Sequence, residues 1–399
     1  MITHDQLLPS LLHLQRQRVI GEISVCGQRK STIAALAHSE TLEEAFPGQS
    51  FRPYPDPADP DESVQPALYR QVVSSLDPDN IVVVALPDQL HAEAILHALR
   101  CGQHVISVKP MAQTSRDSLA IEEEARERGL AVVVEYHKRF DDRSLMARRR
   151  YREGMFGEFR LGTAALFEKW HYRHSSFQNW CTTENSDAFS YIGCHYVDLV
   201  HFITGLLPAS VSVQGIRDRY PNGNEGYLWT DARVKWTNGA ILNVQSGLGF
   251  PDEAPGSNMQ GIRMYCSGGA GGGYLEHDDQ YRGLRYSYLQ RPAGPGHTQF
   301  AEPSPDYFQY VDLGGPGLTP VGYGFRSVEF LVQECLRTAT IETLKDRQQY
   351  LRELDAAGLV ATPANSRYNE QVIEAARLSL LHDGREFPVE PEVPARTGA

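Results

Sequence analysis

Leucines at positions 7, 8, 11, 12 and 14 recur at helical spacing, so residues 5–17 read as a helix with Pro9 in its first turn. The pattern then switches to strand type. GEISVCG (21–27) is a short buried run, and a proline- and aspartate-rich loop (52–62) separates it from an amphipathic segment over Val64–Leu76. NIVVVALP (80–87) is a continuous β-branched run, as expected of a parallel strand covered on both faces. Asp88 is placed to cap the next helix, DQLHAEAILHALRCG, and Gly102 to end it. HVISVKP (104–110), a helix over 116–128 and GLAVVVEY (129–136) complete an alternation that implies a parallel, right-handed α/β sheet.

After about residue 145 a period-two pattern takes over. RRRYREGMFGEFRLGTAALFEKW (148–170) carries a turn signal and then a strand. Two runs flank Asn238-Gly239, a hairpin signal, and IRMYCSGG…GYLEHDD predicts a second hairpin turning at Gly268–Gly273. The middle section is therefore an antiparallel sheet decorated with helices. Arg326–Arg337 and Asn369–Leu381 read as helices, Arg148–Arg150 as a solvated helix face. The divisions that follow are 1–143, 144–389 and a loose tail at 390–399.

Composition narrows the function. The 399 residues carry 38 Lys+Arg against 50 Asp+Glu, a formal net charge of −12, which disfavours nucleic-acid binding. No apolar run approaches membrane-spanning length, and MITHDQLLPS lacks the basic-then-apolar form of a signal peptide. The 6 cysteines include no C-x-x-C clip, which suits a reducing compartment and gives no metal site. The expected location is cytoplasmic, without membrane contact.

Two segments carry chemistry. Lys109 follows the strand HVIS directly, at the carboxyl edge where open α/β sheets bind ligands. Braced by Pro110, its ammonium can hydrogen-bond a substrate hydroxyl and favour its alkoxide-like form; a surface lysine is the plain alternative. In DAFSYIGCHYVDLVHFITG (187–205), spacings of four, four and three place Asp187, Tyr191, His195 and Asp198 along one helix face. Histidine and tyrosine beside carboxylates supply an acid/base group and its orienter. The plain alternative is a helix capped by Asp187 with a histidine satisfied in a crevice. A strand–G-x-G-x-x-G–helix phosphate loop is missing, and Gly268–Gly273 lacks its spacing.

The order VVVALPDQLHAEAILHALRCGQHVISVKP, VVVEYHKRF and then a G-x-H-x-x-D helix resembles the Gfo/Idh/MocA oxidoreductases, from residue 1 to about 389. The resemblance implies an N-terminal Rossmann dinucleotide-binding domain and a C-terminal α/β domain with a large, mostly antiparallel sheet. It further implies a nicotinamide cofactor, a sugar, cyclitol or related polyol substrate, and a homo-oligomer joined through that sheet. Lys109 looks like the family's catalytic lysine and His195 like its acid/base residue, with Tyr191 and Asp198 tuning or relaying protons. Ile2, Ala85, Leu86 and Pro87 match positions against the cofactor. Trp170, Tyr172 and Trp180 are placed to stack on a sugar ring, or simply to pack the core, and His171, Arg173 and Asn179 to bind its polar groups.

Four positions depart from the family pattern. Met1-Ile2-Thr3 falls where the back half of the glycine loop belongs. The expected E-K-P is Val108-Lys109-Pro110. GEISVCG ends in Gly27-Gln28-Arg29-Lys30 rather than an acid, which leans the cofactor from NAD toward NADP, because Arg29 and Lys30 can meet a 2′-phosphate. Tyr191 stands where many members have aspartate. The first departure predicts a reading frame that extends upstream by a short apolar strand ending in G-x-G, and weaker cofactor binding and stability without it. The leading function is hydride transfer between NAD(P) and a secondary hydroxyl. A redox-assisted glycoside-cleaving enzyme and a non-catalytic sugar- or nucleotide-sensing protein are the alternatives.

Overall fold

The computed structural model describes residues 2–59, 62–254, 256, 258–268, 271–278, 282–288, 298–304 and 306–389, with 282–288 and 298–304 described by their backbone alone. The tail expected at 390–399 and two residues of the glycine cluster lie outside these. A π turn over Thr3–Leu7 leads into α1 (Leu8–Arg16), which buries Leu8, Leu12 and Leu14 and tolerates Pro9 at its start. β1 (Ser24–Cys26), α2 (Lys30–Ala37), α3 (Glu40–Ala45) and β2 (Arg52–Tyr54) follow. β2 lies inside the stretch read as loop; Pro53 hides it, because proline gives no ladder N–H, yet it pairs in parallel with Val25.

Next come α4 (Leu68–Ser74), β3 (Ile81–Val84), α5 (His91–Arg100), β4 (His104–Val108), α6 (Ser115–Arg128) and β5 (Val132–Glu135). β3, β4 and β5 form a parallel sheet, separate from the β1–β2 pair. β4 and β5 are wholly buried, whereas Ile81–Val83 of β3 are half-buried, so β3 is not covered on both faces as its composition suggested. β3 pairs with β4 on one side and forms the sheet's edge. Asp88 also departs from expectation. It opens a short 3₁₀ turn without capping α5, and its carboxylate accepts 2.7 Å from the Ser186 hydroxyl instead.

α7 (Asp142–Arg152) is capped by Asp141. Arg149 and Arg150 on it are exposed, as a solvated face requires, whereas Arg148 is half-buried, donating to the Ala357 carbonyl oxygen at 2.7 Å and lying 4.8 Å over the Phe202 ring. β6 (Glu158–Lys169), β7 (Pro208–Arg219), β8 (Glu225–Trp236), β9 (Ile241–Phe250), β10 (Asn258–Ser267) and β11 (Gly273–His277) build the second sheet, with α8 (Cys194–Thr204) between β6 and β7 in the chain. β8–β9 and β10–β11 are the two hairpins that the turns predicted, with Gly239 at φ +82°. Two hairpins, β12 (Arg282–Tyr288) with β13 (Thr298–Ser304) and β14 (Gln309–Val311) with β15 (Thr319–Val321), precede α9 (Tyr323–Ala339), α10 (Leu344–Ala357) and α11 (Pro363–Leu381). β16 (Phe387–Pro388) completes the sheet order β11-β10-β6-β9-β8-β7-β16. The sheet is mixed, because β6 and β9 run parallel inside it.

α8 and α11 cover one face of this sheet in a core that includes Phe189, Leu199, Phe202, Val234 and Val244. Fully burying each such side chain contributes about 1.5–3 kcal/mol. α9 instead returns to the first sheet, where Val328, Leu331 and Cys335 pack with Ile106 and Val133, so the front core draws on residues far beyond 143. α10 went unread because it is charged and buries no residue fully. No described helix is long and apolar enough to cross a membrane.

Candidate active site

Chain topology brings Lys109 close enough to His195 for its charge to act on the imidazole. Lys109 leaves the carboxyl end of β4, is 6% exposed, and donates from Nζ to the Tyr191 carbonyl oxygen while lying 3.9 Å from that ring's centroid. Tyr191 sits on a π turn over Phe189–Gly193 that feeds α8. Asp187 anchors this turn, accepting from the Ser190 backbone at 2.9 Å and its hydroxyl at 2.7 Å. Because a π turn holds an extra residue, the four-residue spacing from Asp187 does not extend an α-helical stripe to His195.

His195, in the first turn of α8, is 4% exposed, and its Nδ1 is buried with no hydrogen-bond partner. Its ring lies 4.6 Å from that of His137 and edge-on to Tyr136 at 6.2 Å. Burial, then Lys109, His137 and Lys138 nearby, hold its pKa well below the usual histidine value. The imidazole is therefore neutral and able to accept a proton. Burial likewise raises the Tyr191 phenol well above its ordinary range, with Glu168 and Asp88 adding to the effect.

Asp198 faces different partners. Both its oxygens pair with Arg139, at 2.8 and 2.6 Å, and it accepts from the Tyr368 hydroxyl at 2.8 Å and from Asn369 at 3.4 Å. This buried network ties α8 to α11 and to the turn after β5.

The proposed sugar-contacting residues occupy 3₁₀ turns over Trp170–His174 and Ser176–Asn179. Trp170 is 43% exposed and stacks on Arg173, whose guanidinium lies 4.0 Å from the ring. Arg173 is itself 4% exposed and is spent on Asp218 and the Leu248 carbonyl oxygen, at 2.5 and 2.6 Å. His171 pairs with Asp252 at 2.9 Å, and Asn179 accepts from Asn222 at 3.2 Å. Tyr172 and Trp180 pack on Phe177, and Trp180 and Phe177 both touch Tyr191. Contact between this segment and Lys109 thus runs through Tyr191.

Several residues around this pair went unnoticed in the sequence. Glu135 ends β5, bonding His137 Nδ1 at 3.1 Å and accepting from Gln6 at 2.8 Å, while the Tyr307 hydroxyl donates to Gln6. Glu168, at the end of β6 opposite Asn258, has its carboxyl raised by burial against the pull of Lys109, Asn258, Lys138 and His171. The strand-end rule that found Lys109 applies equally to Glu135 and His137 after GLAVVV. Gln6 and Tyr307 carry no local signal.

The strand edge fits a nicotinamide dinucleotide. Ala85, Leu86 and Pro87 are half-buried beyond β3, Ile2 is half-buried at the start of the N-terminal helical turn, and the orphaned His195 nitrogen marks a polar spot wanting a partner. Arg29 is exposed just past β1, while Lys30 is engaged by Glu62 and the Asp59 carbonyl oxygen, each at 2.5 Å. Among the described residues no cluster suited to a metal ion occurs.

Comparison with known proteins places these features in a family. The model of an oxidoreductase family with an NAD-binding Rossmann fold, Gfo/Idh/MocA, matches residues 6–136, and that of a Gfo/Idh/MocA C-terminal domain matches 144–270. Levoglucosan dehydrogenase of Pseudarthrobacter phenanthrenivorans is 26% identical over 133 residues, covering 32% of this chain and 34% of that protein. D-glucoside 3-dehydrogenase of Escherichia coli is 28% identical over 196 residues, 48% of each chain. The chain thus spans between a third and a half of the length of these curated relatives. An oxidoreductase domain protein from Kribbella flavida has the same fold, with a TM-score of 0.61 at 19% identity over 96% of both chains. The chain belongs to the Gfo/Idh/MocA oxidoreductase family.

Proposed function

We propose that the protein is an NAD(P)-dependent oxidoreductase acting on a secondary hydroxyl of a sugar, cyclitol or related polyol. The convergence of the Lys109 ammonium and a neutral, partner-poor His195 at the sheet's carboxyl edge carries this reading. Ala85, Leu86, Pro87, Ile2 and Arg29 would hold the cofactor, which supplies a hydride acceptor when bound. Lys109 donates a hydrogen bond to the reacting hydroxyl and stabilises negative charge as it develops there. His195 takes the hydroxyl proton and returns it in the reverse direction. The Tyr191 ring and carbonyl oxygen aim Lys109, and Arg139 with Asp198 fixes the helix that bears His195.

Arg29, exposed and without an ion pair among the described residues, favours NADP through one guanidinium, Lys30 being already engaged. Six unpaired cysteines fit the cytoplasm. Self-association is assigned to the uncovered face of the large sheet, where Leu161, Tyr265 and Tyr274 stand exposed side by side.

The test is turnover with NAD and NADP across cyclitols and pyranosides, with product analysis to separate net oxidation from redox-neutral cleavage. The reading requires a carbonyl product formed in step with reduced cofactor, and loss of NADP preference in Arg29→Ala. Failure of both cofactors to bind would overturn it.

A further inference from the structure

Behind the two cofactor-edge turns lies a histidine that the chemistry above does not use. His91 opens α5 and is 0% exposed. Its Nε2 lies 2.7 Å from the Leu86 carbonyl oxygen, just past β3. Its Nδ1 lies 2.6 Å from the carbonyl oxygen of Pro110, just past Lys109. One ring therefore spans the turn at the cofactor edge and the turn carrying the lysine.

Both partners are carbonyl oxygens, which only accept. A neutral imidazole has a single N–H, so one of these two short contacts would set lone pair against lone pair. Only a ring with two N–H groups satisfies both. A balancing charge is at hand: Asp88 is buried three residues earlier, and the Ser186 hydroxyl donates to it. The charged groups facing this spot are Asp88 itself, Lys109 from the end of β4 and Asp187 from the turn before α8. Burial pushes the Asp88 carboxyl up, while His91, Lys109 and the Ser186 hydrogen bond pull it down.

We propose that His91 is a positioning residue, protonated on both ring nitrogens, that fixes the Leu86 turn and the Lys109–Pro110 turn relative to each other. The consequence for function rests on the reading that these turns border one site; the proton count does not.

The test uses the full chain labelled with ¹⁵N in its histidines, without cofactor, with the His91 signals identified by their absence in His91→Gln. Two ring nitrogens each bearing a proton are expected at neutral pH; one protonated and one bare nitrogen would overturn the proposal. Titration with NADP(H) supplies the second arm. His91→Leu, which leaves both carbonyls unpaired, should weaken binding by about tenfold, and His91→Gln, with two N–H donors on one amide, should recover part of that loss. A doubly protonated His91 whose leucine variant binds cofactor like the wild type would refute the positioning role. If the wild type itself binds no nicotinamide cofactor, the functional reading fails, while the spectrum still decides the protonation claim.

Discussion

The Lys109 ammonium lies 3.9 Å from the centroid of the Tyr191 ring and donates to the carbonyl oxygen of the same residue. One residue of the second domain thus aims the lysine of the first, through its ring face and its backbone. The phenol oxygen has no part in either contact. Tyr191→Phe should therefore lower turnover by less than about tenfold, whereas Lys109→Ala should cost about 10²–10⁴. Steady-state rates decide this, and a collapse in Tyr191→Phe would assign the phenol to proton transfer.

The depressed pKa of His195 has a kinetic consequence. His195 must be neutral to take a proton, so the acid limb of the oxidation rate should lie below the usual histidine value of about 6.5. Lys138 is among the groups that disfavour the imidazolium. Lys138→Met should therefore raise the pKa and move that limb to higher pH. A pH–rate profile unchanged by this variant would contradict the assignment of His195.

Asp198 should behave as a structural carboxylate. Its removal strands the buried Arg139 guanidinium, and breaking a buried pair in this way costs about 3–5 kcal/mol. Denaturant unfolding of Asp198→Ala should show a loss of that size. A variant of normal stability but no activity would restore Asp198 to the proton relay.

Glu370 offers a test by pH. Fully buried on α11, it has its pKa raised by burial to about 8 from 4.5, against the opposing pull of backbone N–H groups that include those of Met111 and Ala112. The folded state holds this proton more tightly than the unfolded state. Stability from that proton is complete below about 4.5 and is lost as pH rises toward about 8. Glu370→Gln, which cannot ionise, should match the wild type near pH 4.5 and gain on it progressively up to about pH 8. Unfolding curves at several pH values check this, and a constant difference would contradict it.

Local patterning exposed much of the architecture. β-branched runs and turn residues located β3, β4, β5 and both large hairpins, and put Lys109 directly after the carboxyl end of β4. What escaped depends on contacts between distant residues. Arg139 and Asp198 are 59 positions apart, and Tyr307 meets Gln6 across 301. No periodicity encodes such a meeting, so the Arg139 and Tyr368 partners of Asp198 leave no trace in the segment around His195. The helical stripe also misled, because the backbone widens into a π turn just before His195. β2 was missed because Pro53 reads as a breaker although the strand needs only three residues.

Hydride transfer itself can be followed with a polyol bearing deuterium on the carbon of its secondary hydroxyl. Full-length protein, oxidised NADP and this substrate should yield a carbonyl product and cofactor carrying the deuterium at nicotinamide C4, with His195→Ala slowing the transfer by about 10²–10⁴. Wild-type protein that binds both molecules yet moves no deuterium to the nicotinamide would contradict the account.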